Sequence, residues 1–168
     1  TDWSALFLRD VLEITGQLYV GAYLTFELGM IISRILGDKY IHKYGAGKVI
    51  QFSGFLGASV WLTSMVIGVN IDHFNKPLAY VVILIGYFVA GAGVGPLFPG
   101  FITLLGSTPG IDMGTALSRA FLIAMVGVAI IPASIGFVSD ATSLTIGMLI
   151  PIVLLFGAGI LSRISRTR

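Results

Sequence analysis

Five long apolar stretches, at residues 16–37, 49–71, 78–105, 117–138 and 144–161, leave this chain few ways to fold. Each runs for roughly 18–28 residues, enough helix to cross about 30 Å of hydrocarbon. Inside lipid every backbone N–H and C=O must find a partner within the protein, so only helices and closed barrels span it. The stretches are continuous and lack the alternation of a barrel strand, so they predict helices. The segments between them (38–48, 72–77, 106–116 and 139–143) are short, which makes sequential helices antiparallel neighbours. The expected fold class is all-α, a polytopic membrane helical bundle with five full transmembrane helices.

Composition supports this. Of 168 residues, 56% are hydrophobic and only 11% charged, where a soluble domain carries about 25% charged residues. A soluble enzyme domain, a nucleic-acid-binding module and a disordered tail are excluded on that ground. The chain has no cysteine, hence no disulfide and no thiolate metal site. It begins at Thr1 with no basic region ahead of a short apolar one, so no signal peptide is read, and it has the look of a processed product or a fragment.

Residues 1–15 differ from the rest. Asp2, Arg9, Asp10 and Glu13 interrupt Trp3, Leu6, Phe7, Val11, Leu12 and Ile14. The segment is too short and too charged to span; it reads as the end of a truncated helix and an external loop, with Trp3 suited to a membrane interface. Thr15 is the expected N-cap of the first span. Residues 16–168 are then a five-helix transmembrane bundle with a short tail. The lysine and arginine bias sets its orientation. Lys39, Lys43, Lys48, Arg163, Arg166 and Arg168 fall on one side, against Arg9 and Lys76 on the other. The richer side, with the C-terminus, is expected to be cytoplasmic.

Few residues within the spans invite chemistry. Glu27 lies near the centre of the first span, where a charge costs about 2.5–3.5 kcal/mol on insertion scales. Such a group faces the protein interior or a wet cavity. Two readings stand side by side: a substrate-binding or proton-carrying carboxylate with its pKa raised by burial, and a paired or neutral one that fixes helix packing. Tyr23 is one turn away on the same face. Arg34, two turns from Glu27, is too far for contact and can snorkel to the interface. Arg119 reads as an interface anchor. Gly91, Gly93 and Gly95 do not make a dinucleotide fingerprint, because the third glycine position falls on Pro96 and no βαβ pattern surrounds it. Gly91 and Gly95, four apart, instead form a face that lets a neighbouring backbone approach. Pro96 and Pro99 bend that helix. His42 and His73 have no nearby ligand cluster, so no metal site is expected. No nucleophile elbow or P-loop is present, so no catalytic residue and no cofactor are assigned.

The segment SRILGDKYIHKYGAGKVI (33–50) is basic and short, with Gly45 and Gly47 placed for a tight turn. Here the chain resembles the major facilitator superfamily, whose motif between paired helices runs glycine, an acidic residue four positions on, a basic residue, glycine and further basic residues. Lys43, Gly45 and Lys48 match it. The acidic position falls on His42, and the glycine before it on Asp38, beside Gly37. The resemblance covers nearly the whole chain. DWSALFLRDVL is similar to the outer end of that family's seventh helix, ELGMIISR to the eighth, GYFVAGAGVGPLFPG to the tenth and SRAFLIAMVGVAIIPASIGFVSDAT to the eleventh, with the fifth span as the twelfth.

The resemblance implies the C-terminal half of a twelve-helix secondary transporter working by alternating access. Its partners would be membrane lipid, the missing N-terminal half and a small-molecule substrate of unassigned kind; sugars or drug-like compounds are the family's usual suggestions. By position, the substrate-binding residues carried over are Tyr23, Glu27, Tyr87, Phe88, Phe121 and Met125. The loop residues are Arg34, Asp38, His42, Lys43, Gly45 and Lys48. Proton coupling at Glu27 is an inference from its burial, since the family commonly has an uncharged residue there. The expected location is the cell (inner) membrane, and the expected function solute transport rather than enzymatic catalysis. The rival reading is a self-contained five-helix membrane protein with a structural or assembly role.

Overall fold

The computed structural model describes residues 3–110 and 112–164. These form α1 (Trp3–Asp10), a 3-10 turn (Leu18–Val20), α2 (Gly21–Tyr44), α3 (Ala46–Asp72), α4 (Lys76–Val94), α5 (Leu97–Gly106), α6 (Met113–Ala141), α7 (Leu144–Gly147) and α8 (Leu149–Ile164), with no strand among the described residues. Among the described residues, five segments are long and apolar enough to cross a membrane: Leu18–Tyr44, Ala46–Asp72, Lys76–Gly106, Met113–Ala141 and Leu144–Arg163. The five expected spans are helical, and they depart from expectation at three places.

The first departure is at residues 38–48, expected as a loop. Asp38, His42 and Lys43 lie on α2, Lys48 lies in the first turn of α3, and Gly45 alone joins the two helices. Hydropathy marks where a chain leaves the hydrocarbon, whereas a helix continues until its backbone is turned. Gly45 makes that turn at φ 84°, ψ 143°, a conformation open to glycine and strained for other residues. A Cβ there would meet nothing within 4 Å, so Gly45→Ala isolates the backbone term. It should cost about 1–3 kcal/mol of stability, read as a lower unfolding midpoint in detergent with no change in helix content.

The second departure concerns Thr15, which caps nothing. The chain passes through the Leu18–Val20 turn before α2 begins at Gly21. The third is in the last span, which breaks as the third span does at its expected proline bend. Pro96 and Pro99 have no N–H to give the preceding turn, and the third span breaks into α4 and α5 at Gly95–Pro96. Likewise α7 stops at Gly147 and α8 starts at Leu149, with Pro151 unable to bond back across the break. Pro132 is accommodated inside α6.

Helix α4 is the centre of the packing, flanked by α2 and α3, and α8 packs on α3. Small residues make this possible, since lipid supplies no hydrophobic drive between helices and close backbone contact must hold them together. A Cβ on Gly91 would overlap the Phe26 carbonyl of α2, and one on Gly29 would overlap the Phe88 carbonyl of α4. On α4's other side Gly93 meets Gly57 of α3, and Gly86 meets Ser64. Gly54 of α3 and Gly159 of α8 form a third such crossing. Gly91 and Gly95 do share the face that receives a neighbouring backbone, that of α2.

Around these crossings lies a core in which Phe7, Leu8 and Leu12 are fully buried beside Trp61, Met65, Ile83, Tyr87 and Ile152. The segment before the first span is thus packed into the bundle. By contrast, α6 buries only Ile135 among its described residues.

Polar contacts tie down the two ends of the bundle. At one end the Ser162 hydroxyl donates to the Gly47 carbonyl at 2.7 Å, joining α8 to α3. Lys39, Lys43, Lys48 and Arg163 gather at this basic end by topology; Arg166 and Arg168 lie outside the described residues, as does Asp2. Asp112 caps α6 here, accepting from the Thr115 amide at 2.9 Å and from its hydroxyl at 2.5 Å. Those bonds hold the Asp112 carboxyl below the usual carboxylate range. At the other end Lys76 donates to Glu13 Oε2 at 3.0 Å and to the Leu12 carbonyl at 3.4 Å, and the Tyr80 hydroxyl donates to the Leu18 carbonyl at 2.9 Å. The Glu13–Lys76 pair is solvent-exposed, so it sets the path of residues 11–17 more than it stabilises.

Candidate functional site

A cavity of about 500 Å³ opens between α1, α2, α3, α4 and the α6–α8 end of the bundle. Tyr23, Phe26 and Glu27 reach it from consecutive positions on one face of α2, spaced three and four apart. Trp3 and Ser4 enter from α1, Trp61 from α3, Tyr87 from α4 and Ile135 from α6, with Met148 and Pro151 closing the side. Half of the residues lining it are aromatic, and Glu27 is the one charged residue on the wall among the described residues.

Glu27 is half-buried and takes no hydrogen bond or ion pair among the described residues. Arg34, seven residues on, is exposed and absent from the cavity. Opposite, three aromatic rings form a chain across three helices. Trp61 lies 6.2 Å from Phe26 at 49° and 5.4 Å from Tyr87 at 57°, tilted arrangements that suit the ring quadrupoles. Tyr87 is 1% exposed and Trp61 5% exposed. The Trp61 indole Nε1 is buried without a hydrogen-bond partner among the described residues.

The structure therefore divides the six expected substrate-binding residues. Tyr23, Glu27 and Tyr87 share the cavity. Phe88 does not: neighbouring residues on a helix point about 100° apart, and Phe88 turns into a separate groove between α2 and α3. Phe121 sits against Phe98 of α5 at 5.8 Å, and Met125 is exposed on α6. Trp61 went unread in the sequence. A signal was present, because Trp61 falls in the middle of the 27-residue α3, far from the interface where membrane tryptophans usually sit. Trp3, expected at that interface, lines the cavity and packs on Gly136 of α6.

Of the expected loop residues, Arg34, Asp38, His42 and Lys43 are exposed along the last three turns of α2, and Lys48 is exposed across the Gly45 turn. Lys43 Nζ lies 5.1 Å from the centroid of the Tyr44 ring. No ion pair joins these residues among the described ones.

Five apolar spans around an aromatic, carboxylate-bearing cavity define a multi-pass helical membrane protein. Comparison with known proteins adds the kind. The chain is 26% identical over 145 residues to an uncharacterised MFS-type transporter of Yersinia pestis, covering 86% of this chain and 35% of that protein. It is 25% identical over 143 residues to an uncharacterised transporter of Sinorhizobium fredii, covering 85% and 35%. It is also 25% identical over 158 residues to the cis,cis-muconate transport protein of Acinetobacter baylyi, covering 89% and 34%. No family model and no solved structure matches it. The resemblance to the major facilitator superfamily thus extends over most of the chain, and the chain spans about a third of the length of the curated relatives it matches. That proportion is consistent with the C-terminal half of such a transporter.

Proposed function

We propose that the chain forms the C-terminal half of a secondary active transporter for a small solute, working by alternating access with an N-terminal half of similar size, and that it is not an enzyme. The observation that carries this reading is Glu27, a half-buried carboxylate without a partner among the described residues, on a cavity wall built from five spans. An ionisable group inside a membrane protein is expensive to keep there and usually marks a substrate or proton path. Tyr23, Glu27 and Tyr87 are the substrate-facing residues of this half. Phe121 and Met125 project from the largely uncovered α6 and would meet the solute or the second half. Glu27 is the proton-coupling residue. The basic end, with Gly45 and the lysines, is cytoplasmic on the positive-inside rule, and the cell (inner) membrane is the location. Arg34, Asp38, His42, Lys43, Gly45 and Lys48 form the cytoplasmic joint about which α2 and α3 would adjust.

The cis,cis-muconate of the Acinetobacter relative is not carried over. Muconate is a dicarboxylate, and the cavity wall described here bears a carboxylate and no lysine or arginine.

The test is uptake of labelled sugars and amphiphilic cations into membrane vesicles holding this half joined to its partner half, driven by an imposed pH gradient. Glu27→Gln should abolish gradient-driven accumulation while leaving downhill exchange. Unchanged accumulation with unchanged pH dependence would remove the coupling role from Glu27. Absence of uptake in the parent protein for every probe would count against the transporter reading.

A further inference from the structure

A second hollow, of about 550 Å³, runs between α2 and α3 with α4 as its floor. It exists because α2 and α3, joined at Gly45, touch each other little and both pack on α4. Its walls are apolar along most of their length, with Ile32 and Leu36 on α2, Phe52 and Leu56 on α3 and Phe88 and Val89 on α4. Only at the basic end does the chemistry change. Tyr40 and Tyr44 stack there at 6.3 Å and 15°, Lys48 lines the mouth, and Lys43 leans over the Tyr44 ring. Neither lysine has an ion-pair partner among the described residues, and no acidic residue lines the groove.

The groove follows α2 from Gly29 to Tyr44, about 22 Å at 1.5 Å per residue, room for most of an extended fatty-acyl chain and the start of its head group. An apolar slot of that length, ending at tyrosines and unpaired lysines at one end of the bundle, has the polarity profile of a phospholipid. We infer that the α2–α3 groove is a specific site for an anionic phospholipid, with one acyl chain laid against α4 and the phosphate held by Lys48 and Lys43. Basic pockets between membrane helices take anionic head groups in this way. The tyrosine hydroxyls and ring faces suit the boundary between chain and head group. This site is separate from the Glu27 cavity and does not depend on what that cavity carries.

The experiment uses this chain, purified in detergent and examined by native mass spectrometry with added phosphatidylglycerol or phosphatidylcholine. Phosphatidylglycerol should be retained preferentially at a stoichiometry of one. Lys48→Gln should weaken its retention about fivefold, the effect of one lysine close to an anionic head group. Arg119→Gln removes the same charge from an exposed position on α6 at the same end and should leave retention unchanged. A phosphatidylglycerol with a photoreactive diazirine on its acyl chain should label Phe52 and Leu56. Equal retention of the two lipids overturns the proposal, as does an equal loss in Lys48→Gln and Arg119→Gln, which would mean diffuse surface charge only. Labelling confined to α6 also overturns it. So does a protein segment cross-linked in the groove in place of lipid.

Discussion

Trp61→Ala should lower the stability of the bundle by about 3–5 kcal/mol, the usual cost of truncating a buried large aromatic. Trp61 is 5% exposed and is the middle ring of the Phe26–Trp61–Tyr87 chain. Its removal would leave a void where α2, α3 and α4 meet, and the close glycine crossings nearby prevent those helices from collapsing into it. Trp61→Phe separates two contributions. It gives up part of the ring's volume, but it also removes a buried N–H that has no partner among the described residues, and such a donor costs about 1–3 kcal/mol to bury unsatisfied. The phenylalanine variant should therefore lose less than half of what the alanine variant loses. Reversible unfolding in detergent, followed by helical circular dichroism, checks both. Equal losses in the two variants would mean that the indole N–H has a partner in the folded protein.

Gly91→Val is the second large effect. The first added carbon would overlap the Phe26 carbonyl, and the Met30 amide lies 3.1 Å from the same point. Both are backbone atoms of α2, so no side chain can move aside, and α2 and α4 must separate along their contact. Overpacking of this kind costs about 1–3 kcal/mol, occasionally more, and here it acts on a principal crossing of the fold. Gly157 supplies the contrast. It lies on α8, and a Cβ there meets nothing within 4 Å. Gly157→Ala should be neutral or stabilising by up to about 1 kcal/mol through helix propensity. A thermal midpoint for Gly91→Val equal to that of the parent would show that α2 and α4 do not cross this closely.

The spans were legible because length and continuous hydropathy suffice to identify a helix in lipid. Their ends were not, because polarity marks the hydrocarbon boundary and says little about where a helix stops. α2 runs on through Asp38, Lys39, His42 and Lys43 until Gly45 turns it. That Tyr23 and Glu27 line one cavity was legible for a geometric reason: they are one turn apart on a single helix, so one helix fixes their relation. Relations between helices were less accessible. Tyr87 and Phe88 are adjacent in sequence and line different hollows. Phe121 and Met125 share a face of α6 that turns away from the cavity. Trp61 stood within an apolar run and read as filling, although its mid-span position marked it as facing protein.

The joint at Gly45 has a mechanical corollary. Two helices of 24 and 27 residues are hinged through one residue, which leaves them no slack to slide lengthwise past each other. Their remaining freedom is angular, as in a pair of dividers, and α4 sits between the legs. Any change in that angle must widen or narrow the groove beside Phe52 and, through the same rigid α2, shift Glu27 against Tyr87. The two hollows would then change shape together, although they share no lining residue.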